Sequence, residues 1–207
     1  MKSFVYATIA VLTATVAYAS AAPEPAVAPG PGIWTVNVVF EHPRQIIIPA
    51  VGNGKPRVFW YTILTLTNKA RIDVDFYPKC DLMTDSFQII AAGQKTPPAV
   101  FERIKKRHQS KYPFLESLEK TDPRILQGAD NAKDIAIIWP DFDRTANSFK
   151  LFISGLSNET AVVKHPIIKD KNIYLRKTLE LDYILKSDPA LRTSLKLNYK
   201  GKHWVMR

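Results

Sequence analysis

VFWYTILTLTNKARIDVDFY, residues 58–77, is the stretch that decides the fold. Its first arm sets Phe59, Tyr61 and Ile63 on one side of an extended chain and Trp60, Leu64 and Leu66 on the other. A strand that is apolar on both faces is stable only with packed layers above and below it, which places this arm at the centre of a β-sandwich. Asn68-Lys69-Ala70 has turn chemistry, and Ile72, Val74 and Phe76 then alternate with Arg71, Asp73 and Asp75. The expectation is a half-exposed second strand running back beside the first, with its acids in solvent.

On the N-terminal side, residues 51–56 (VGNGKP) are turn chemistry that delivers the chain into the organising strand. Residues 46–48 form a short strand bounded by Pro43 and Pro49, and those prolines put it at a sheet edge. Residues 33–40 alternate, with Trp34, Val36, Val38 and Phe40 on one face, and make the first strand of the domain. Residues 22–32 (APEPAVAPGPG) suit neither a helix nor a central strand and read as a linker or tail. Residues 1–21 have the layout of a secretory signal peptide: Lys2, an uncharged apolar run from 4 to 17, and the small-x-small triplet Ala17-Tyr18-Ala19. The run is shorter than the roughly 20 residues a membrane span requires, so no span is expected in the mature chain.

On the C-terminal side, residues 87–91 read as a strand ended by Gly93 and Pro97-Pro98. Residues 99–108 (AVFERIKKRH) change period, with Val100, Phe101 and Ile104 at helical spacing and charged residues elsewhere. Pro113 is placed to open a second helix with Phe114, Leu115 and Leu118 as its apolar side, so that 99–120 forms a short helical insertion. Strands resume at 135–139, 149–153 and 161–164, then in the long alternating run 173–185, and close with 195–199 before Gly201. About nine or ten strands separated by turn signals describe a mainly β, antiparallel sandwich occupying 33–207 as one domain. The layout resembles an immunoglobulin-like sandwich, with Trp60 where such domains bury a tryptophan, although the cysteine pair of antibody domains is absent. That resemblance is one of architecture and implies no activity.

The chain has 207 residues, 46% of them apolar and 11% aromatic, enough for one sizeable core and well outside the composition of a disordered chain. Its formal charge of +10 favours anionic partners such as an anionic polymer, lipid headgroups or an acidic envelope protein. The cations are spread along the chain without a nucleic-acid motif, so nucleic acid is not an expected partner. The densest basic run lies on the predicted helix, and Arg103, Lys105, Lys106 and Arg107 are the candidate anion-binding residues. A charged helix face is also an ordinary solvated face, and acids on the same surface would weaken its field. A single cysteine, Cys80, forms no internal disulfide, and its apolar neighbours predict a buried thiol.

Asp141, Asp143 and Asn147 are the candidate metal ligands, because two carboxylates one residue apart in a turn can reach a hard cation such as Ca²⁺ together. Ala146 and Phe152 stand where an EF-hand requires its glycine and bidentate acid, and the plainer reading is aspartates that bond loop amides. His42, His108, His165 and His203 are scattered without metal-ligand spacing. Nucleophile-elbow, phosphate-loop and dinucleotide motifs are missing, and no cofactor is expected. Asp81 and Asp85 near Cys80, and Glu102 with His108, are the pairs a convergent site would use. These features predict a secreted or periplasmic, non-catalytic β-sandwich that binds an envelope protein or anionic polymer or supports structure. The alternatives are a secreted hydrolase or glycan-active enzyme using loop carboxylates, and an adhesin or assembly subunit pairing through the 46–48 edge.

Overall fold

The computed structural model describes residues 26–27, 32–50, 54–186 and 196–207. The predicted signal at 1–21 lies outside the described residues, as does the tail apart from 26–27 and Gly32. Strands make up 54% of the chain beside one short helix, so the protein is mainly β, as its alternating patterns require. In chain order, β1 (Ala26–Val27) is followed by β2 (Asn37–Phe40) and β3 (Arg44–Ile48). The latter two lie end to end along one side of β4 (Arg57–Asn68), pairing with 64–67 and with 57–61. Thus β3 is an edge strand, as its flanking prolines predicted.

The chain leaves β4 differently from the expected hairpin. Only Val74–Asp75 (β5) is extended, and it pairs with β9 (Arg124–Ile125) rather than with β4. Asn68 is the reason. Its buried amide donates to the carbonyls of Ile72 and Ile125 at 2.9 and 3.0 Å, and its carbonyl accepts the Ala70 amide at 2.9 Å. Those bonds close the loop on itself and send the chain across the edge, leaving the free side of β4 for β10 (Gly128–Pro140). Between these elements, β6 (Lys79–Thr84) and β7 (Ile89–Ala91) form a hairpin of which only the second strand was predicted.

Helix α1 (Pro98–His108) matches its helical spacing, but the second predicted helix does not form. Lys111 and Tyr112 amides bond the His108 carbonyl and stop α1. Tyr112 and Leu115 turn inward while Phe114 stands 85% exposed, and β8 (Glu116–Ser117) then runs parallel to β10. The helical insertion is therefore 98–108 rather than 99–120. A second helix would bury Phe114 and break the β8 ladder.

The second sheet is built from β11 (Ser148–Ser154), β12 (Thr160–Lys164), β13 (Asn172–Lys186) and β14 (Lys196–Met206) with the β6–β7 hairpin. β11 and β12 lie end to end along β13, interrupted at 155–159, and β14 runs along the opposite side. That last strand continues through Gly201, where the sequence suggested an end, because a register shift opposite Asp182 and Tyr183 absorbs the irregularity.

The two faces of β4 now have separate partners. Trp60, Leu64 and Leu66, with Ile135, Ile137 and Trp139 of β10, pack into the large core shared with Leu82, Leu151, Leu179 and Leu181 of the second sheet. Phe59, Tyr61 and Ile63, with Ala136 and Ile138, meet Val100 and Ile104 of α1. The expectation of layers above and below is met, and one of those layers is the helix. Complete burial of Val100 and Ile104 contributes about 1.5–3 kcal/mol each, which holds an 11-residue helix that would be marginal alone.

Candidate functional site

Helix α1 carries the predicted cationic face. Proline at its first turn costs no hydrogen bond, and the inward anchors Val100 and Ile104 fix which side faces solvent. Arg103, Lys106 and Arg107 are exposed, while Lys105 is half-buried with its ammonium 6.0 Å from the centre of the Phe101 ring. None of these four makes an ion pair among the described residues, although Glu102, exposed on the same helix beside Arg103 and four residues before Lys106, takes part of their field. Lys105, Lys106 and Arg107 also occupy the last turn, where the helix dipole favours cations by about 0.3–1 kcal/mol each.

The C-terminal end of α1 is fastened to the first sheet by a polar cluster. His108 Nε2 and the Tyr61 hydroxyl are 2.9 Å apart. Glu41, between β2 and β3, accepts the Tyr112 hydroxyl at 2.8 Å and the Lys111 ammonium, and pairs with Arg44 at 3.0 Å. Bonds from Lys111 and Tyr112 hold the Glu41 carboxyl below its usual range. Burial, reinforced by the Arg44 and Arg107 charges, lowers the affinity of His108 for a proton. Burial and then the Glu41 bond push the Tyr112 phenol up. The neutral imidazole is thus favoured, and its Nε2 shares a hydrogen bond with the Tyr61 hydroxyl in which the tautomer decides the donor. This cluster positions the helix and sets Arg44, Arg107 and Lys111 around its end.

The Glu41 and His108 shifts have the same sign for stability. A group with a depressed folded-state pKa binds fewer protons when folded, so stability is full above its unfolded pKa and is lost as pH falls. We expect the melting temperature to drop in two steps on acidification, first through the ordinary histidine range and then through the carboxylate range. His108→Gln should remove the upper step and leave the lower one, measured by thermal melts across pH; an unchanged upper step would assign it elsewhere.

The sequence paired His108 with Glu102, whereas the structure pairs it with Tyr61. Glu41, Tyr61 and the 108–112 stretch are too far apart in the chain for any motif to connect them. Their one local trace is a tyrosine inside an apolar strand, whose hydroxyl must find a partner when buried.

The 141–147 loop carries Asp141, Asp143 and Asn147 on the exit from β10, and each turns to a different partner. Asp141 Oδ1 accepts the Trp60 indole N–H at 3.0 Å, and Oδ2 lies 3.9 Å from Arg144. Asp143 Oδ1 accepts the Thr145 amide and hydroxyl at 2.9 and 2.8 Å, and the Asn147 amide donates to Asp85. Asp143 therefore bonds loop donors, as a turn aspartate does, while Asp141 ties the loop to Trp60 of β4. Among the described residues no group of three or more His, Cys, Asp or Glu side chains is arranged to hold a metal ion.

Cys80 is buried on β6, where desolvation, with Asp81 and Glu119 adding to it, keeps its thiol protonated. Asp81 is 3.8 Å from Lys79, and Asp85 serves Asn147, so neither aspartate is directed at the thiol by these contacts. His42 lies 3.3 Å from the Tyr183 hydroxyl, and His165 organises a hairpin loop on the second sheet. No helix among the described residues is long and apolar enough to cross a membrane. Comparisons with protein-family models, with curated proteins and with solved structures find no match to this chain.

Proposed function

We propose that this chain is an exported, non-catalytic binding module with the layout of an immunoglobulin-like sandwich. In the envelope or extracellular space it binds an anionic polymer or an acidic protein through α1. The layout rests on two mainly antiparallel sheets facing each other across Trp60, Leu64 and Leu151. The observation that carries the binding role is the set of exposed cations Arg103, Lys106 and Arg107, which make no ion pair among the described residues, on a helix fixed by its buried face. Because the helix is already packed, its backbone does not have to be ordered when these charges meet a polyanion. Export agrees with the signal-like residues 1–21 and with a lone buried cysteine.

Replacing Arg103, Lys106 and Arg107 with glutamine tests the reading. Affinity for an acidic polysaccharide should fall about tenfold or more, with elution at lower salt, because the interaction is screened beyond a Debye length of about 8–10 Å. Thermal stability should change by less than about 1 kcal/mol, as at other exposed positions. Retention that ignores both salt and the substitutions would refute the role of this face. A second reading, assembly through an open strand, has β3 in its favour, with Ile47 46% exposed at the sheet edge. Strand addition there would persist at high salt, which separates the two.

A further inference from the structure

The β12–β13 hairpin ends in a built loop. The His165 amide donates to the Lys171 carbonyl at 2.8 Å and closes its base. Inside it, the amides of Ile167 and Ile168 donate to His165 Nδ1 at 3.1 and 3.0 Å. Asp170 adopts a left-handed φ of 63°, which a short aspartate tolerates. These constraints turn the two isoleucines outward, with Ile167 86% and Ile168 49% exposed.

Directly beside them, Lys164, Lys169 and Lys171 border a cleft of about 450 Å³ that His165 and Asn172 help to line. Asp170 is the one acid on that cleft, and none of the three lysines makes an ion pair among the described residues. Further back along the stem, Tyr174 is 67% exposed. The loop thus has apolar side chains at its apex, free ammonium groups behind them and a phenol behind those.

We propose that this tip docks the protein on a membrane surface rich in anionic lipid. Ile167 and Ile168 enter the boundary of the acyl chains, the lysines hold headgroup phosphates in and around the cleft, and Tyr174 sits at headgroup depth. Lysine stems suit this arrangement because they lie along apolar surface while the ammonium stays in the polar layer. Complementarity of charge selects the anionic leaflet, where each lysine near the surface strengthens binding about fivefold. A convex two-isoleucine apex offers far less than the roughly 800 Å² per partner of a stable protein interface. A bilayer closes around any protruding apolar group. This reading goes beyond the α1 face, which lies on the other sheet, and the two can fail independently.

Sedimentation of the full chain with phosphatidylcholine vesicles, with and without phosphatidylglycerol, tests it. Binding is expected only when the anionic lipid is present. Ile167→Ser with Ile168→Ser should weaken it about tenfold or more at low and high salt alike, since burial of apolar surface is insensitive to screening. Glutamine at 164, 169 and 171 should weaken it at low salt and flatten its salt dependence. Ile167→Trp should show blue-shifted emission on anionic vesicles and quenching by brominated acyl chains, a readout independent of affinity. The proposal is overturned if anionic vesicles are not bound, or if the isoleucine substitutions leave binding unchanged. Equal competition by inorganic phosphate without tryptophan insertion would make the cleft a plain anion site and would also overturn it.

Discussion

Trp60→Ala is expected to cost about 3–5 kcal/mol of folding stability, the range for removing a large buried aromatic side chain. Trp60 is 2% exposed and packs against Phe142 and Phe149, with ring centres 5.1 and 5.8 Å away. Its removal opens a cavity where the first sheet meets the second and leaves Asp141 without its indole donor. A matched pair of milder substitutions separates these terms. Trp60 and Trp139 are register partners on β4 and β10, both in the same core, so tryptophan to phenylalanine removes the same atoms at either. The Trp139 indole nitrogen is buried and has no hydrogen-bond partner among the described residues. Trp60→Phe loses a bond to a charged acceptor, worth about 1.5–3 kcal/mol, while Trp139→Phe deletes a donor with nothing to lose. Urea unfolding should therefore rank Trp60→Phe below Trp139→Phe by about 1–3 kcal/mol; the reverse order would refute the role given to the Asp141 bond.

Gly155→Ala should be strongly destabilising, costing about 3 kcal/mol or more. Gly155 has a φ of 87°, which by itself disfavours an alanine by about 1–2 kcal/mol. An added Cβ would also lie 2.4 Å from the Tyr77 carbonyl oxygen and 2.8 Å from its carbon. Both are backbone atoms, so no rotamer change relieves the contact. This glycine opens the 155–159 interruption between β11 and β12, through which the second sheet reaches the first. Leu156 accepts the Val36 amide at 2.8 Å, and Asn158 Oδ1 accepts the Trp34 amide at 2.7 Å. Gly32 is the control: its φ is 63°, yet nothing lies within 4 Å of an added Cβ. Gly32→Ala should cost about 1–2 kcal/mol, the conformational part alone. Equal urea midpoints for the two variants would show that the Tyr77 contact carries no weight.

Much of the candidate binding face was legible from residue spacing. Val100 and Ile104 stand four apart with charged residues between them, which defines a buried side and a cationic side before any neighbour is known. The latch at the end of α1 was not legible, because Glu41, Tyr61 and His108 come from separate segments and meet only when helix and sheet pack. The turn at Asn68 misled for a related reason. Its residues do form a turn, but the buried Asn68 amide reaches Ile125, far along the chain, and that bond decides where the next segment goes. Phe114 likewise has the spacing of a helix anchor yet lies in solvent, since Tyr112 and Leu115 fill the available space beneath.

By itself the sequence determined the mainly β character, the two apolar faces of the 57–68 strand, the α1 helix and the burial of Cys80. Each follows from the period with which side chains leave the backbone, or from their own hydrophobicity, and neither depends on distant residues. Tertiary structure alone decided that β10 and not residues 72–76 lies beside β4, that a helix covers its outer face, and that His108 bonds Tyr61. Pairing and layering are chosen by the total area the whole chain can bury, and a local pattern states only that a face needs cover, not which segment supplies it.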